Sequence, residues 1–283
     1  MPAPPTSLVV WITGAAGGIG SAVARVFAAS GARLVLHTGR RPRPPADTPG
    51  VRPDRSYVYA ADVRSPSAHD DALSEALARF GRIDVCVANA GIWPPQDTPL
   101  KDMDPARVQE VLDVNLAGAL WTARAFLRVL ADTGPRPDGL GASLCFVGST
   151  AGRFGEPFHA AYAASKGGLR ALVPTLAREI VELDPRGRVN MVEPGWTATA
   201  MARPGLADDG AIRHALSTMP LARVATAGDI AQAIAYLCDP VRARHVTGEV
   251  VTVAGGMQGR LVRPPEGVDP DAVRAAIDRD EGV

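Results

Sequence analysis

Short, nearly unbroken apolar runs recur along the chain, separated by longer segments whose apolar residues return every three to four positions. Runs such as LVVWI, RLVLH and SLCFVG lack the strict alternation of a strand with one wet face. They fit strands covered on both faces, with the longer segments as the covering helices. The pattern predicts strands at Leu8–Thr13, Arg33–Thr38, Ser56–Ala60, Val85–Asn89, Ser143–Gly148, Val189–Glu193 and Glu249–Val253. It predicts helices at Gly20–Ala29, Ser67–Phe80, Pro105–Leu130, Ala161–Leu183 and Ala227–Leu237. Alternation of this kind is the order of βαβ units in a parallel sheet. No repeat and no linker separates the strands, so residues 1–259 read as one α/β domain. Residues 260–283 read as a polar extension in which Asp269-Pro270 caps a short helix over Asp271–Asp278.

Composition narrows the function. In 283 residues, 30 Lys+Arg balance 30 Asp+Glu, which leaves no electrostatic footprint for nucleic acid or an anionic membrane. The apolar runs are too short to span a bilayer, and MPAPPTS lacks the basic start of a signal peptide, so a cytoplasmic location is expected. Cys86, Cys145 and Cys238 are far apart in apolar segments and read as buried thiols, with no metal spacing. Only Lys101 and Lys166 are lysine; arginine supplies the other 28 basic residues. The neutral total also hides a Pro/Arg-rich loop, with residues 33–55 at +4, and an acidic tail, with residues 264–283 at −4.

The first strand runs into TGAAGGIG, Thr13 to Gly20, and then into a helix. Glycines at 14, 18 and 20 permit a tight turn and close approach of a pyrophosphate at a helix N-terminus. Glycines also close turns for structural reasons alone, and the spacing is looser than G-x-G-x-x-G. Further along stand AADV with Asp62, VANAG with Asn89-Ala90-Gly91, VLDVNLAG with Asn115, FVGSTAG with Ser149, YAASK with Tyr162 and Lys166, and Pro194-Gly195 followed by Thr199. Taken singly, a Y-x-x-x-K pair is usually a surface pair, Ser149 a turn residue and Asn115 a tolerated polar group. In this order, over about residues 6–258, they resemble the short-chain dehydrogenase/reductase family, in the manner of 3-oxoacyl-carrier-protein reductases.

The resemblance implies a single Rossmann-type doubly wound domain with a seven-stranded parallel sheet in the order 3-2-1-4-5-6-7, flanked by helices. It implies that Gly14, Ala16, Gly18, Ile19 and Gly20 cradle a dinucleotide. Asp62, Val63, Asn89, Ala90 and Gly91 would flank its adenine side; Pro194, Gly195, Thr197 and Thr199 would hold the nicotinamide. Asn115, Ser149, Tyr162 and Lys166 would form the catalytic tetrad, with no metal. Tyr162 would exchange the proton, Ser149 hold the substrate oxygen, Lys166 stabilise the phenolate and grip the ribose, and Asn115 hold a relay water.

Cofactor choice follows from charge. NAD-using relatives end the second strand in an acid; here Thr38 stands there, followed by Gly39, Arg40 and Arg41. A missing acid beside two guanidinium forks favours NADP(H), with NAD(H) possible. Trp93, Phe158 and Trp196 flank the expected substrate mouth, with Glu156, His159 and Met201 nearby. Glu193 stands where a small residue is usual, and Pro174 should kink the Tyr162–Lys166 helix. The family assembles as homodimers or homotetramers, an expectation that Pro174 weakens. The activity expected is interconversion of a ketone and a secondary alcohol. The competing readings are an NAD-linked alcohol or polyol dehydrogenase and a non-catalytic dinucleotide sensor or scaffold. A halohydrin-dehalogenase relative is disfavoured by TGAAGGIG.

Overall fold

The computed structural model describes residues 7–40, 51–257 and 265–281. Seven parallel strands form the central sheet: β1 (Val9–Ile12), β2 (Arg33–His37), β3 (Ser56–Tyr59), β4 (Val85–Ala88), β5 (Ser143–Val147), β6 (Arg188–Pro194) and β9 (Val250–Val253). Their order is β3-β2-β1-β4-β5-β6-β9, the doubly wound arrangement expected. A two-stranded parallel ribbon, β7 (Thr197–Ala198) with β8 (Ala225–Thr226), stands apart and was not foreseen, being two residues a side.

β1 explains why the apolar runs are unbroken. Val9 and Trp11 point into a core cluster on one face, while Val10 and Ile12 point into a second cluster on the other. All four are fully buried. The first cluster is closed by α2 (Pro66–Phe80), α4 (Gly118–Thr133) and α6 (Ala160–Leu183), the second by α1 (Gly18–Ala29) and α9 (Ala227–Cys238). Cys86, Cys145 and Cys238 are buried free thiols, as expected.

The long helix expected over Pro105–Leu130 is divided. α3 (Pro105–Leu112) passes into a π-helical segment, Asp113–Ala117, before α4 begins. One extra residue per turn is a local feature that apolar periodicity does not reveal, and such bulges gather at functional positions. Asn115 sits inside it. α6, by contrast, runs unbroken across Pro174. Three short helices completing the strand-end surface were also missed: α5 (Ala151–Phe154), α7 (Arg203–Leu206) and α8 (Asp209–Ser217). The extension forms α10 (Pro270–Glu281), longer than expected. It packs on α8 and β8.

Candidate active site

The site lies along the carboxyl edge of the sheet, where β1, β4, β5 and β6 each hand their chain to a loop. Between β1 and α1 the Gly-rich turn is built by close approach. Gly14 has φ +67°, and a Cβ there would lie 2.9 Å from Ala90 Cα. A Cβ on Gly18 would meet the Thr199 side chain at 2.6 Å, and one on Gly20 would meet Gly14 O at 2.2 Å. Three predicted segments are thereby brought together: the Gly turn, Asn89–Gly91 and the loop at Thr199.

Side chains sew these segments together. Thr13 Oγ1 accepts from the Asn89 and Ala90 amides at 3.1 and 3.2 Å, and Asn89 Nδ2 donates to Thr13 O and Gly14 O at 2.9 and 3.2 Å. Asn89 therefore staples two turns. His37, buried at the end of β2, receives the Gly14 amide on Nδ1 at 3.3 Å and lies 3.0 Å from Ala61 O through Nε2. That pairing selects the Nε2–H tautomer, and burial lowers its pKa, so the ring is neutral. Sequence reasoning passed over Thr13 and His37. The only signal was their position, each at the end of a strand.

Helices α2, α3, α8 and α9 begin on Ser65, Asp104, Asp208 and Thr226, whose side chains cap them. Helix α1 begins at Gly17 with no side-chain cap and no acid in its first turn. Its amides and positive dipole end are left for an anion, which fits the diphosphate of a dinucleotide. Ala16 is exposed on this turn, and Ile19 packs back on the core.

Asp62 lies beyond β3 in a clasp of guanidinium groups. Arg64 donates to both carboxylate oxygens, at 2.6 Å from Nη2, and Arg40 Nε lies 3.2 Å away. The hydrogen bonds from Arg64 are the main reason that its pKa falls to about 2. Next to it, Val63 is buried, touching the place where a Cβ on Gly118 would stand. Thr38 closes β2 with its amide on Tyr59 O at 3.1 Å. Arg41 lies outside the described residues.

The four tetrad candidates converge. Ser149, just past β5, lies near enough to the Tyr162 hydroxyl to lower its pKa, and its Oγ accepts the Ala151 amide at 3.2 Å. Lys166, one turn along α6, is buried, with Nζ donating to Val147 O at 3.0 Å and 5.8 Å from the Tyr162 ring centroid. Desolvation lowers its pKa to about 8. Asn115 is clamped on Ile92, accepting the amide on Oδ1 at 2.8 Å and donating to the carbonyl from Nδ2 at 3.0 Å. Nδ2 also reaches Ser165 Oγ at 3.3 Å, which donates to Tyr162 O at 2.7 Å. Ser165 is a second residue that the sequence did not flag; Asn115 is tied through it to the backbone of the tyrosine. A Cβ on Gly91 would lie 3.2 Å from Asn115 Oδ1 and 3.4 Å from Lys166 Nζ. The glycine keeps that space open.

The Tyr162 pKa is raised by desolvation, opposed by the nearby Ser149 hydroxyl and supplemented by the negative charge of Glu156. Trp93 stands edge-on to the Tyr162 ring at 4.7 Å and lies against His159 at 3.9 Å. His159 Nε2 is 2.9 Å from Asp97 Oδ1. Phe158 is exposed and held at φ +66°, a strained conformation for a non-glycine residue. A groove of about 600 Å³ leads from Trp93 past Gln96 and Arg107 to Arg64. Trp196 belongs to a different group, packed against Gly205 of α7 and the cluster of Ala198, Ile212 and Leu216. Thr197 Oγ1 donates to Gly195 O at 3.0 Å, bracing the loop after Pro194.

Glu193 proves to be an anchor. Wholly buried in β6, it forms an ion pair with Arg170 of α6 and accepts from Thr252 Oγ1 at 3.4 Å. Arg170 is one turn beyond Lys166, so the pair fixes the helix that carries Tyr162 and Lys166. Arg170→Ala should strand a buried carboxylate and cost about 3–5 kcal/mol in urea unfolding, whereas Glu193→Gln should cost less because Arg170 reaches solvent. Equal losses for both variants would contradict this account.

Residues 14–258 match a family model described as enoyl-(acyl carrier protein) reductase. The chain is 31% identical over 256 residues to a 3-oxoacyl-(acyl-carrier-protein) reductase of Escherichia coli (strain K12), covering 88% of this chain and 96% of that one. It is 33% identical over 255 residues to the putative ketoacyl reductase 2 of the granaticin polyketide synthase of Streptomyces violaceoruber, covering 89% and 96%. Among solved structures it resembles a short-chain dehydrogenase/reductase, glucose/ribitol dehydrogenase, from Brucella melitensis. That match has a TM-score of 0.75 at 32% identity, covering 89% of this chain and 97% of the other.

Proposed function

The chain belongs to the short-chain dehydrogenase/reductase family, oxidoreductases acting on CH–OH and C=O groups, and from that premise we propose that it reduces a ketone to a secondary alcohol with NADPH, reversibly, using Tyr162 as the acid/base. The observation that carries the reading is the convergence of Ser149, Tyr162 and the buried Lys166, whose Nζ lies 5.8 Å from the Tyr162 ring centroid, at the strand ends next to an uncapped glycine turn.

A nicotinamide dinucleotide bound along that turn would supply the hydride. The α1 amides would hold its diphosphate, and Thr197, Thr199 and the Pro194-Gly195 loop its nicotinamide end. Ser149 would donate to the substrate oxygen and steady its developing negative charge. The Tyr162 hydroxyl, within reach of the same oxygen, would give up its proton to it. Lys166 behind the ring favours the phenolate left behind. Asn115 keeps the Ile92 backbone and, through Ser165, the tyrosine backbone in place, which holds the proton donor still during transfer. Trp93, His159 and Phe158 would form one wall of the substrate site and Trp196 the other.

Arg40 supports NADPH over NADH. It already lies against an acid at the end of β3, and a 2′-phosphate would offer its guanidinium a stronger partner. A charge-assisted contact of this kind carries about 1.5–3 kcal/mol, so KM for NADPH should be about tenfold or more below that for NADH. Arg40→Ala should erase much of that difference and leave NADH kinetics alone. A strong NADH preference in the wild type would reverse the cofactor assignment. A panel of ketones assayed with NADPH tests the reaction itself. Turnover of a 2-enoyl thioester with no turnover of any ketone would overturn the reading.

A further inference from the structure

Helix α10 lies beyond the segment matched by the family model, which ends at residue 258, yet it packs on α8 and β8. Val268 and Val273 are buried in a cluster with Ala198, Ile212, Leu216 and Met219, which Ile277 flanks. α7 has four residues and α8 nine, too short to hold helical form without packing. α10 supplies that packing from outside.

Its polar contacts are directed at helix ends. Arg274 Nε donates to Leu206 O at 3.2 Å, satisfying a carbonyl that the end of α7 would otherwise leave unpaired. The same guanidinium pairs with Asp209 at the start of α8 and with Asp271 at 2.8 Å. Arg213 of α8 returns the link by donating to Val268 O. Leu206 is the residue after Gly205, where a Cβ would lie 3.0 Å from Trp196 Cζ2. Trp196 in turn adjoins Thr197 of the β7–β8 ribbon. Contacts therefore run from Arg274 through α7 to Trp196, which precedes Thr197 and the Thr199 loop that packs on Gly18 of the glycine turn.

We propose that α10 is a specificity element of the substrate site: Arg274 and the Val268/Val273 pair hold α7 and α8 down on Trp196, and so set the size of substrate admitted. Arg274 acts by positioning and touches no reacting atom. The size-setting role rests on the ketone-reductase reading; the anchoring does not.

The test uses the full chain carrying Arg274→Ala, with deletion of residues 265–283 as the stronger variant. Arg274→Ala leaves the buried valines in place and so keeps the test open if the deletion fails to fold. Amide exchange read by mass spectrometry should quicken about tenfold or more over residues 203–217 and stay unchanged in β1, β4 and β5. With aryl ketones of increasing bulk, KM for the large members should fall relative to the small ones by about threefold or more, with kcat and the KM for NADPH nearly constant. Unchanged exchange over 203–217 would overturn the anchoring. Faster exchange with unchanged size preference would overturn the specificity role. A wild-type chain that reduces no ketone, while exchange still responds, would sink the reaction assigned above and spare the anchor.

Discussion

Tyr162→Phe should lower ketone turnover by a factor of about 10²–10⁴, the range that a positioned acid/base contributes, while NADPH binding changes little. The variant isolates the hydroxyl. The phenyl ring can keep its edge contact with Trp93 at 4.7 Å and its place beside Lys166, so the wall of the site should survive. Ser149 retains the Ala151 amide. The loss should fall on kcat, because the proton is needed only once the oxygen begins to take charge. The pH dependence gives an independent reading. Desolvation, then the charge on Glu156, both favour the protonated phenol, so alcohol oxidation, which needs the phenolate, should speed up as pH rises. Glu156→Gln removes one of those two causes and should move that rising limb toward acid. A Tyr162→Phe enzyme with wild-type turnover would remove the tyrosine from the mechanism. A limb that stayed put in Glu156→Gln would show that the carboxylate does not act on it.

Much of this was legible in the residues because the physics was repetitive. A parallel strand buried on both faces must be apolar at every position, as Val9 to Ile12 are, so the strands followed from the runs, while their order in the sheet came from the family resemblance. The tetrad was legible because Tyr162 and Lys166 must share a helix face and Ser149 must stand at a strand end. What escaped was local or long-range. The π-helical turn at Asn115 rests on one residue's reach for the Ile92 backbone, which leaves the apolar period intact on both sides. His37 bonds to Gly14 and Ala61, each 23 or 24 residues away, and nothing near it in sequence announces either partner. Glu193 was conspicuous as an acid among apolar neighbours, but its partner Arg170 is one arginine among 28. A charge count also averages away what places the tail's helix on α8: the buried Val268 and Val273 and the ion pair of Arg274 with Asp209.

Lys166→Met should make the protein more stable at neutral pH and nearly inactive. The ammonium is buried and donates to Val147 O at 3.0 Å; desolvation brings its pKa from 10.5 down to about 8. Sign follows from proton binding. Between about pH 8 and 10.5 the unfolded chain holds a proton on this amine that the folded chain has released, so folding stability rises with pH across that window. Below it the full cost of burying the charge applies, on the order of 3 kcal/mol from the drop in pKa. Methionine of similar length escapes that cost and forfeits one hydrogen bond, which returns about 1 kcal/mol. The net gain in urea unfolding should therefore be about 1–3 kcal/mol at pH 7 and should disappear near pH 10. Turnover should fall by about two orders of magnitude or more, because no cation remains to favour the phenolate. Lys166→Arg should fail differently. Its planar fork must enter a space bounded by Val147 O, Asn115 Oδ1 and Gly91, where Nζ already lies 3.4 Å from the position of a Gly91 Cβ. That variant should be both inactive and destabilised. In a chain that uses arginine for 28 of 30 basic residues, lysine is kept here at a cost to folding. A Lys166→Met protein less stable than wild type at pH 7, with no narrowing of the difference toward pH 10, would mean that the lysine is retained for structure after all.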